Sequence, residues 1–304
     1  MEIKQLKYFT HVAELGSYTR AAEIIDVAQP VLSRQIRQLE IELRQNLLIR
    51  HGRGVVLTDA GKTLLKHSRI ILQQLEQAHE DLSLSDGKLS GHVFLGMPPT
   101  LVKLISVDVV KAFKQHLPDA NLTILEALTV NLEENIHLGR VDIALLNNPT
   151  ASPHIETKLL AEEELYLICH AQDPIAQNRS SVSLKELASI PLIMPSPPNT
   201  FRMLLEQEML KIDLKPHIAW EIDSIGIIMK LVAEGMGNAI LSRFSLTLVK
   251  HDELFKAIPI TSPTLVNRLY LGVSAKQMPT RLHHKVINLL TEICARPFPL
   301  KKTK

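Results

Sequence analysis

The residues that invite chemistry lie between positions 29 and 37. Gln29, Pro30, Ser33, Arg34 and Arg37 fall on one side of a helical spacing whose other side is Leu32, Ile36, Leu39 and Leu43. A helix that buries the leucine stripe shows water a Gln, a Ser and two Arg near its N-terminal half. An Arg guanidinium can bond guanine O6 and N7 together, and a Gln amide can do the same with adenine. Pro30 suits the first turn of such a helix, where a missing N–H leaves nothing unsatisfied. Every basic residue from 20 to 54 is an arginine, apart from histidine, so positive charge is concentrated locally although the whole chain carries only +2.

The neighbouring elements can hold that helix in place. Leu6, Phe9 and Val12 have helical spacing, and Gly16 ends their helix as a residue tolerant of positive φ does. Ser17 caps a second short helix whose first turn carries Thr19 and Arg20, with Ala21 and Ala22 on its packing face. The turn Asp26-Val27-Ala28 then leads into the polar helix, which is a helix-turn-helix arrangement. Leu47-Leu48-Ile49 and Val55-Val56-Leu57 are β-prone runs around Arg50-His51-Gly52-Arg53-Gly54, a hairpin that places Arg50 and Arg53 near adjacent phosphates. The run AELGSYTRAAEIIDVAQPVLSRQIRQLEIELRQNLLIRHGRGVVLTDAG strongly resembles the N-terminal domain of LysR-type transcriptional regulators, and its details are similar to the nitrogen-assimilation-control subgroup. That resemblance implies a winged helix-turn-helix and sequence-specific binding of double-stranded DNA. The total length of 304 residues is also what the family implies.

Thr58-Asp59 caps a helix that can run to about residue 84. Leu64, Ser68, Ile71, Leu75, Ala78 and Leu82 alternate by four and three, a heptad seam suited to self-association. A single helix-turn-helix reads half a site, so a dimer, or a tetramer built from two dimers, is expected. The resemblance adds that two linker helices pair antiparallel. Residues 85–91 then break the pattern as a hinge.

Beyond the hinge, strands and helices alternate in two sets, which predicts open α/β sheets in two subdomains with a cleft between them. Ligands in such sheets sit beyond the carboxyl ends of strands, near helix N-termini that favour anions. Pro98, Thr100, Thr129, Asn147, Asn199, Thr200, Phe201, Arg202 and Ser224 stand at those places. The resemblance implies an effector pocket at Thr100, Thr129 and Thr200, and a last strand and helix that cross back to the first subdomain, as in type 2 periplasmic binding proteins.

The expected architecture is α/β: a mainly helical winged helix-turn-helix over residues 1–58, a linker helix and hinge over 59–87, and an effector-binding domain over 88–304. Within the last, subdomain I takes about 91–162 and 267–304, and subdomain II about 163–266. The expected function is transcription regulation, with DNA binding or bending modulated by a small carboxylate or aromatic acid and RNA polymerase as a further partner. A ligand-independent regulator and a stand-alone solute-binding protein are the alternatives, and residues 1–58 argue against the second. Aromatics are only 4% of the chain, so the cores must rest on Leu, Ile, Val and Ala. Cys169 and Cys294 form no CxxC pair, which argues against a thiolate zinc site or disulfide scaffold. The start MEIKQLKYF has no export signal, and no run of about 20 apolar residues exists. A cytoplasmic location with no membrane partner is expected. GxSxG, HExxH and P-loop motifs are absent and His283-His284 reads as a solvated pair, so no catalytic residue, metal ligand or cofactor is expected.

Overall fold

A computed structural model of the chain describes residues 1–52, 54–82, 89–248, 252–275 and 279–295. The chain forms two compact units, residues 1–91 with 138–140, and residues 92–137 with 141–304.

The first unit runs α1 (Ile3–Leu15), α2 (Tyr18–Ile24), α3 (Gln29–Leu43), the hairpin β1 (Leu48–His51) and β2 (Gly54–Leu57), then α4 (Asp59–Leu82). Gly16 closes α1 at φ 61°, and Ser17 Oγ accepts from the Arg20 N–H at 3.3 Å to start α2. Leu32, Ile36 and Leu39 of α3 are fully buried against Phe9, Val12, Ala21 and Leu47. Burying such side chains at about 2 kcal/mol each fixes the rotation of α3 about its axis. The carboxylate of Glu40 accepts from the N–H groups of Leu47 at 2.8 Å and Leu48 at 3.2 Å, which joins α3 to the start of the hairpin.

Gly54 holds the hairpin to the rest of the unit. Its φ is +138°, the Val55 N–H beside it donates to the Gly16 carbonyl at 2.9 Å, and a Cβ at position 54 would lie 2.4 Å from that carbonyl oxygen. No side chain fits so close an approach. Thr58 caps α4, accepting from the Gly61 N–H at 2.9 Å and donating to the Asn46 carbonyl at 2.6 Å.

The helix α4 differs from the expected seam at its start. Leu64 packs on the core of its own unit beside buried Leu65, and Ser68 is fully buried. A helix that follows the hairpin without a break must first cover the open side of α1, so these turns face inward. Ile71, 38% exposed, is where the stripe first turns to solvent. The side chain of Leu82, residues 83 and 84, and residues 85–88 of the expected hinge lie outside the described residues.

The second unit runs β3 (Gly91–Met97), α5 (Pro99–His116), β4 (Ala120–Glu126), α6 (Thr129–His137), β5 (Ile143–Asn147), β6 (Ile155–His170), α7 (Pro174–Asn178), β7 (Val182–Ser183), α8 (Leu184–Leu187), β8 (Leu192–Met194), α9 (Thr200–Leu210), β9 (Ile218–Glu221), α10 (Ile225–Ala233), β10 (Ala239–Ser242), β11 (Phe255–Thr261), β12 (Val266–Ser274) and α11 (Arg281–Ala295). Strands order as β4-β3-β5-β12-β6-β11-β7 with β10 also on β6, while β8 and β9 pair separately in parallel. The chain does return to its first half, because β12 pairs antiparallel with β5. One core gathers Leu132, Ile136, Ala144 and Leu146; another gathers Leu167, Ile193, Leu205, Ile228 and Ile240.

The single 16-residue strand β6 joins the two halves. Residues 155–164 pair with β12 on one side, and residues 165–170 pair with β10 and β11 on both. The sequence reading finds only Leu165–Cys169 as a strand. The earlier residues Glu156, Thr157 and Lys158 are exposed, so they lack the apolar signal of the later ones. The sequence reading also lacks β11, which contains Pro259, a residue that reads against a strand interior.

His283 departs from the expected solvated pair. It is 9% exposed, its backbone N–H donates to Thr280 Oγ1 at 3.0 Å, and its Nδ1 accepts from the Thr280 N–H at 3.3 Å. The imidazole thus takes the place of the usual Glu or Gln in a capping box at the start of α11. Burial, with a smaller contribution from His284, pushes its pKa down to about 4. A neutral buried ring contributes stability that is complete above about pH 6.5 and is lost as pH falls towards 4, because the unfolded chain binds the proton first. His283→Gln keeps a capping acceptor without titrating. Its melting temperature is expected to fall less steeply than the wild type's between pH 6.5 and 4, by the equivalent of about 1–3 kcal/mol; parallel pH–melting curves would refute this.

Candidate functional site

Two surfaces combine functional side chains, one in each unit. In the first, α3 turns its unburied side outward: Gln29, Pro30, Arg34 and Arg37 are exposed and Ser33 is half-buried. Thr19 and Arg20 are exposed on α2, whereas Ser17 is engaged as the α2 cap. The arrangement leaves two guanidinium groups and one amide on a single helical face, the donor set that base edges and phosphates accept.

Arg50 is not where the sequence reading puts it. Its Nη2 donates to Ser33 Oγ at 2.6 Å, and its guanidinium lies 4.4 Å from the centre of the Tyr18 ring. The side chain therefore turns from the hairpin onto α2 and α3 instead of projecting from the tip. Stacking on Tyr18 and bonding Ser33 together hold it there. Burial raises the Tyr18 pKa, opposed by its bond to Arg50, so the phenol stays protonated. Tyr18 and Glu40 are the residues that sequence reasoning missed here. The Ser-aromatic pair and the Leu-Glu pair are visible in the chain, but their roles as platform and brace need spatial neighbours. Arg53 lies outside the described residues.

The second surface is a cleft within the second unit, about 500 Å³ with its mouth included. It is built by chain segments that follow strands and begin helices. Pro98, Pro99 and Thr100 line it where β3 gives way to α5, Leu128 and Thr129 at the start of α6, and Asn147 at the end of β5. The other half contributes Pro195 after β8, Asn199, Thr200 and Phe201 at the start of α9, Asp223 and Ile225 at the start of α10, and Leu241 of β10. Pro98, Thr100, Thr129, Asn147, Asn199, Thr200 and Phe201 therefore come together as the sequence spacing suggests.

Arg202 and Ser224 do not join them. Arg202 is 8% exposed and its guanidinium donates to Glu206 at 2.6 Å, to Glu221 at 3.1 Å and to the Pro195 carbonyl at 3.4 Å. An arginine at the third position of α9 lies one turn from Glu206 on the same helical face, and that carboxylate captures it. Ser224 is exposed at the N-cap of α10 and its neighbour Asp223 faces the cleft instead. Sequence reasoning missed Asp223, because nothing in the chain says which of two adjacent exposed polar residues borders the cleft.

Behind the lining runs a chain of amides. The Asn147 N–H donates to Thr129 Oγ1 at 3.0 Å, and its Oδ1 accepts from Asn267 Nδ2 at 3.1 Å. Asn267 also donates to Glu163 at 2.8 Å and accepts from Asn148 Nδ2 at 2.9 Å. Burial pushes the Glu163 carboxyl pKa up, with bonds from Asn267 and Ser242 acting the other way. Among the described residues, no group of three or more His, Cys, Asp or Glu is placed to hold a metal ion. Cys169 and Cys294 are buried, their thiols pushed up to about 11 and about 12, so neither is a thiolate at neutral pH.

Family models for the bacterial regulatory helix-turn-helix of the lysR family and for the LysR substrate binding domain match residues 3–62 and 86–295. This chain is a member of the LysR family of transcriptional regulators. The nitrogen assimilation regulatory protein nac of Escherichia coli is 31% identical to this LysR-family chain over 303 residues, covering 99% of it and 98% of the relative. A full-length OxyR variant from Pseudomonas aeruginosa has the same fold, with a TM-score of 0.82 at 21% identity over 100% of this chain and 99% of that one. CbnR, solved at full length in complex with its target DNA, superposes with a TM-score of 0.65 at 21% identity, covering 97% of this chain and 99% of that one. The regulator thus has the DNA-binding and effector-binding domains of its family, and its expected two-subdomain α/β architecture stands. Among the described residues, no helix is long and apolar enough to cross a membrane.

Three substitutions examine the α3 face. Arg34→Ala is expected to cost about 1–3 kcal/mol of specific DNA affinity and to relax base preference at one position, read by fluorescence anisotropy on operator and scrambled duplexes. Arg50→Ala and Ser33→Ala are expected to be non-additive, the double variant losing little more than the worse single one, since contacting side chains couple by about 0.5–3 kcal/mol. Additive losses would instead give Arg50 a phosphate contact of its own.

Proposed function

We propose that the chain regulates transcription from the cytoplasm as a homodimer or dimer of dimers on a two-fold operator, one α3 entering each major-groove half-site. Gln29, Arg34 and Arg37 reach base edges or phosphates, Thr19 and Arg20 reach the backbone, and Arg50 holds Ser33 in place; Arg53 serves the neighbouring phosphates. Ile71, Leu75 and Ala78 of α4 supply the part of the heptad stripe available for self-association. A small organic acid enters the cleft and bonds Thr100, Thr129, Asn147, Asn199 and Thr200. Its binding changes how the two subdomains sit on either side of β6, and through them the spacing and bend of the bound DNA. RNA polymerase is the partner that reads the altered complex. The chain performs no chemistry on its ligand.

The observation that carries this reading is the cleft lining. Polar side chains and helix starts from both subdomains face one space, so a ligand there bonds both halves at once and biases their relative placement. The test is nuclease footprinting of the full chain on its operator with a panel of small carboxylates and aromatic acids, alongside melting curves. An active compound is expected to raise the melting temperature by several degrees, consistent with about 2–3 kcal/mol at a hundredfold excess over Kd, and to shift the footprint. Thr129→Val removes one hydroxyl donor and is expected to weaken both responses by about tenfold in ligand concentration while leaving ligand-free DNA binding in place. A panel that stabilises nothing and moves no footprint would overturn the effector reading.

A further inference from the structure

Resting on the cleft as an effector site, we propose that its ligand is a small zwitterion, a carboxylic acid that also carries a protonated amine. The carboxylate meets the Thr129–Asn147 side and the ammonium meets Asp223.

The Arg268 N–H donates to Asn148 Oδ1 at 2.8 Å, which leaves Asn148 Nδ2 to donate to Asn267 Oδ1 at 2.9 Å. Asn267 Nδ2 then donates to Asn147 Oδ1 at 3.1 Å. A backbone N–H, which can only donate, therefore fixes the orientation of three amides in series. The last of them, Asn147, has its oxygen occupied and presents Nδ2 as a donor. Thr129 Oγ1 accepts from the Asn147 N–H at 3.0 Å, which leaves its hydroxyl hydrogen to donate. Asn199 repeats the pattern: Oδ1 accepts from the Phe201 N–H at 3.0 Å and the Arg202 N–H at 3.4 Å, leaving its Nδ2 as donor. Thr129 and Asn147 are 6% and 8% exposed and line the cleft, so a ligand that displaces water there must supply acceptors to their donors or leave them unmet. The group that answers several converging donors is a carboxylate.

Asp223 has the opposite character. It is the one ionisable side chain among the described residues of the lining. Its Oδ1 accepts from the Ser196 N–H at 2.9 Å and Ser196 Oγ at 2.6 Å, while Oδ2 is left over. Those bonds also lower its pKa, so it is ionised at neutral pH. Of the nearby cations, Arg202 is held by Glu206 and Glu221, and neither it nor Lys103, whose Nζ lies beside Gly226, is part of the lining. A plain carboxylate would satisfy the donors but bring a second negative charge beside Asp223. A plain amine would answer Asp223 and leave the donors unmet. A molecule with both groups satisfies both sides, and Phe201, Ile225 and Leu241 offer apolar contact to its remainder.

The test titrates the full chain calorimetrically with free L-amino acids, the same skeletons lacking the amino group, and the same skeletons lacking the carboxyl group. At least one amino acid is expected to bind about tenfold or more tightly than either truncated counterpart. Asp223→Asn keeps an oxygen for Ser196 and the side-chain volume but removes the charge. It is expected to melt like the wild type without ligand and to lose the preference for the amine-bearing compound. Thr129→Val is expected to weaken amino acids and deaminated acids alike. Deaminated acids that bind as tightly as amino acids, or an Asp223→Asn variant that keeps the preference, would overturn the proposal and leave the cleft as an acid site. Silence from the amino acids overturns it as well, and silence from the acids too removes the effector reading itself.

Discussion

Strand β6 carries a constraint on which the second unit rests: its backbone N–H and C=O groups must find partners over sixteen residues. They do so by changing neighbours midway, from β12 alone to β10 and β11 together. The change divides the unit into two halves that share one continuous strand. Each half then covers its sheet with helices, and the segments where strands hand over to helices face each other across the junction. The cleft is a consequence of that geometry, and its polar character follows from the unmet N–H groups that helix starts bring with them.

Within the cleft, most polar side chains serve two purposes. Thr129, Asn147 and Asn199 each accept a bond from the protein itself, and this leaves each with a donor to offer. The direction is inherited from the backbone and is not adjustable by rotating a single group. The donor pattern of the lining is thus set by bonds within the protein. Asn267 on β12 and Glu163 on β6 tie the donor side of the cleft to the strand that both halves share.

The first unit works by a different principle. Apolar packing sets the rotation of α3, and short-range bonds then trim the result: Glu40 braces the loop after the helix, Gly54 brings the hairpin against the Gly16 carbonyl, and Arg50 closes from the hairpin onto Ser33 and Tyr18. Helix α3 is consequently held from its buried side and from its flank. Arg34, Arg37 and Gln29 keep their donor groups outward because the inward positions are taken by Leu32, Ile36 and Leu39.

Sequence by itself determined the elements and the faces wherever periodicity and local caps decide them. The α3 stripe, the Ser17 and Thr58 caps, the hairpin and the Pro98–Thr100, Thr129 and Asn199–Phe201 helix starts were all legible, since their signals lie within a few residues of one another. The start of β6, the strand β11, the inward turn of Leu64 and Ser68, the buried His283 and the engaged Arg202 were not. In each of these a partner is distant in sequence or the residue type points the wrong way: exposed polar residues extend a strand, a histidine closes a capping box, a cation is shared between Glu206 and Glu221, the second nineteen places on. The same holds for Asp223, whose place in the lining depends on Ser196, twenty-seven places back in the chain. Tertiary structure decided which groups are already bonded. What is left over in the lining is donors on one side and a carboxylate on the other.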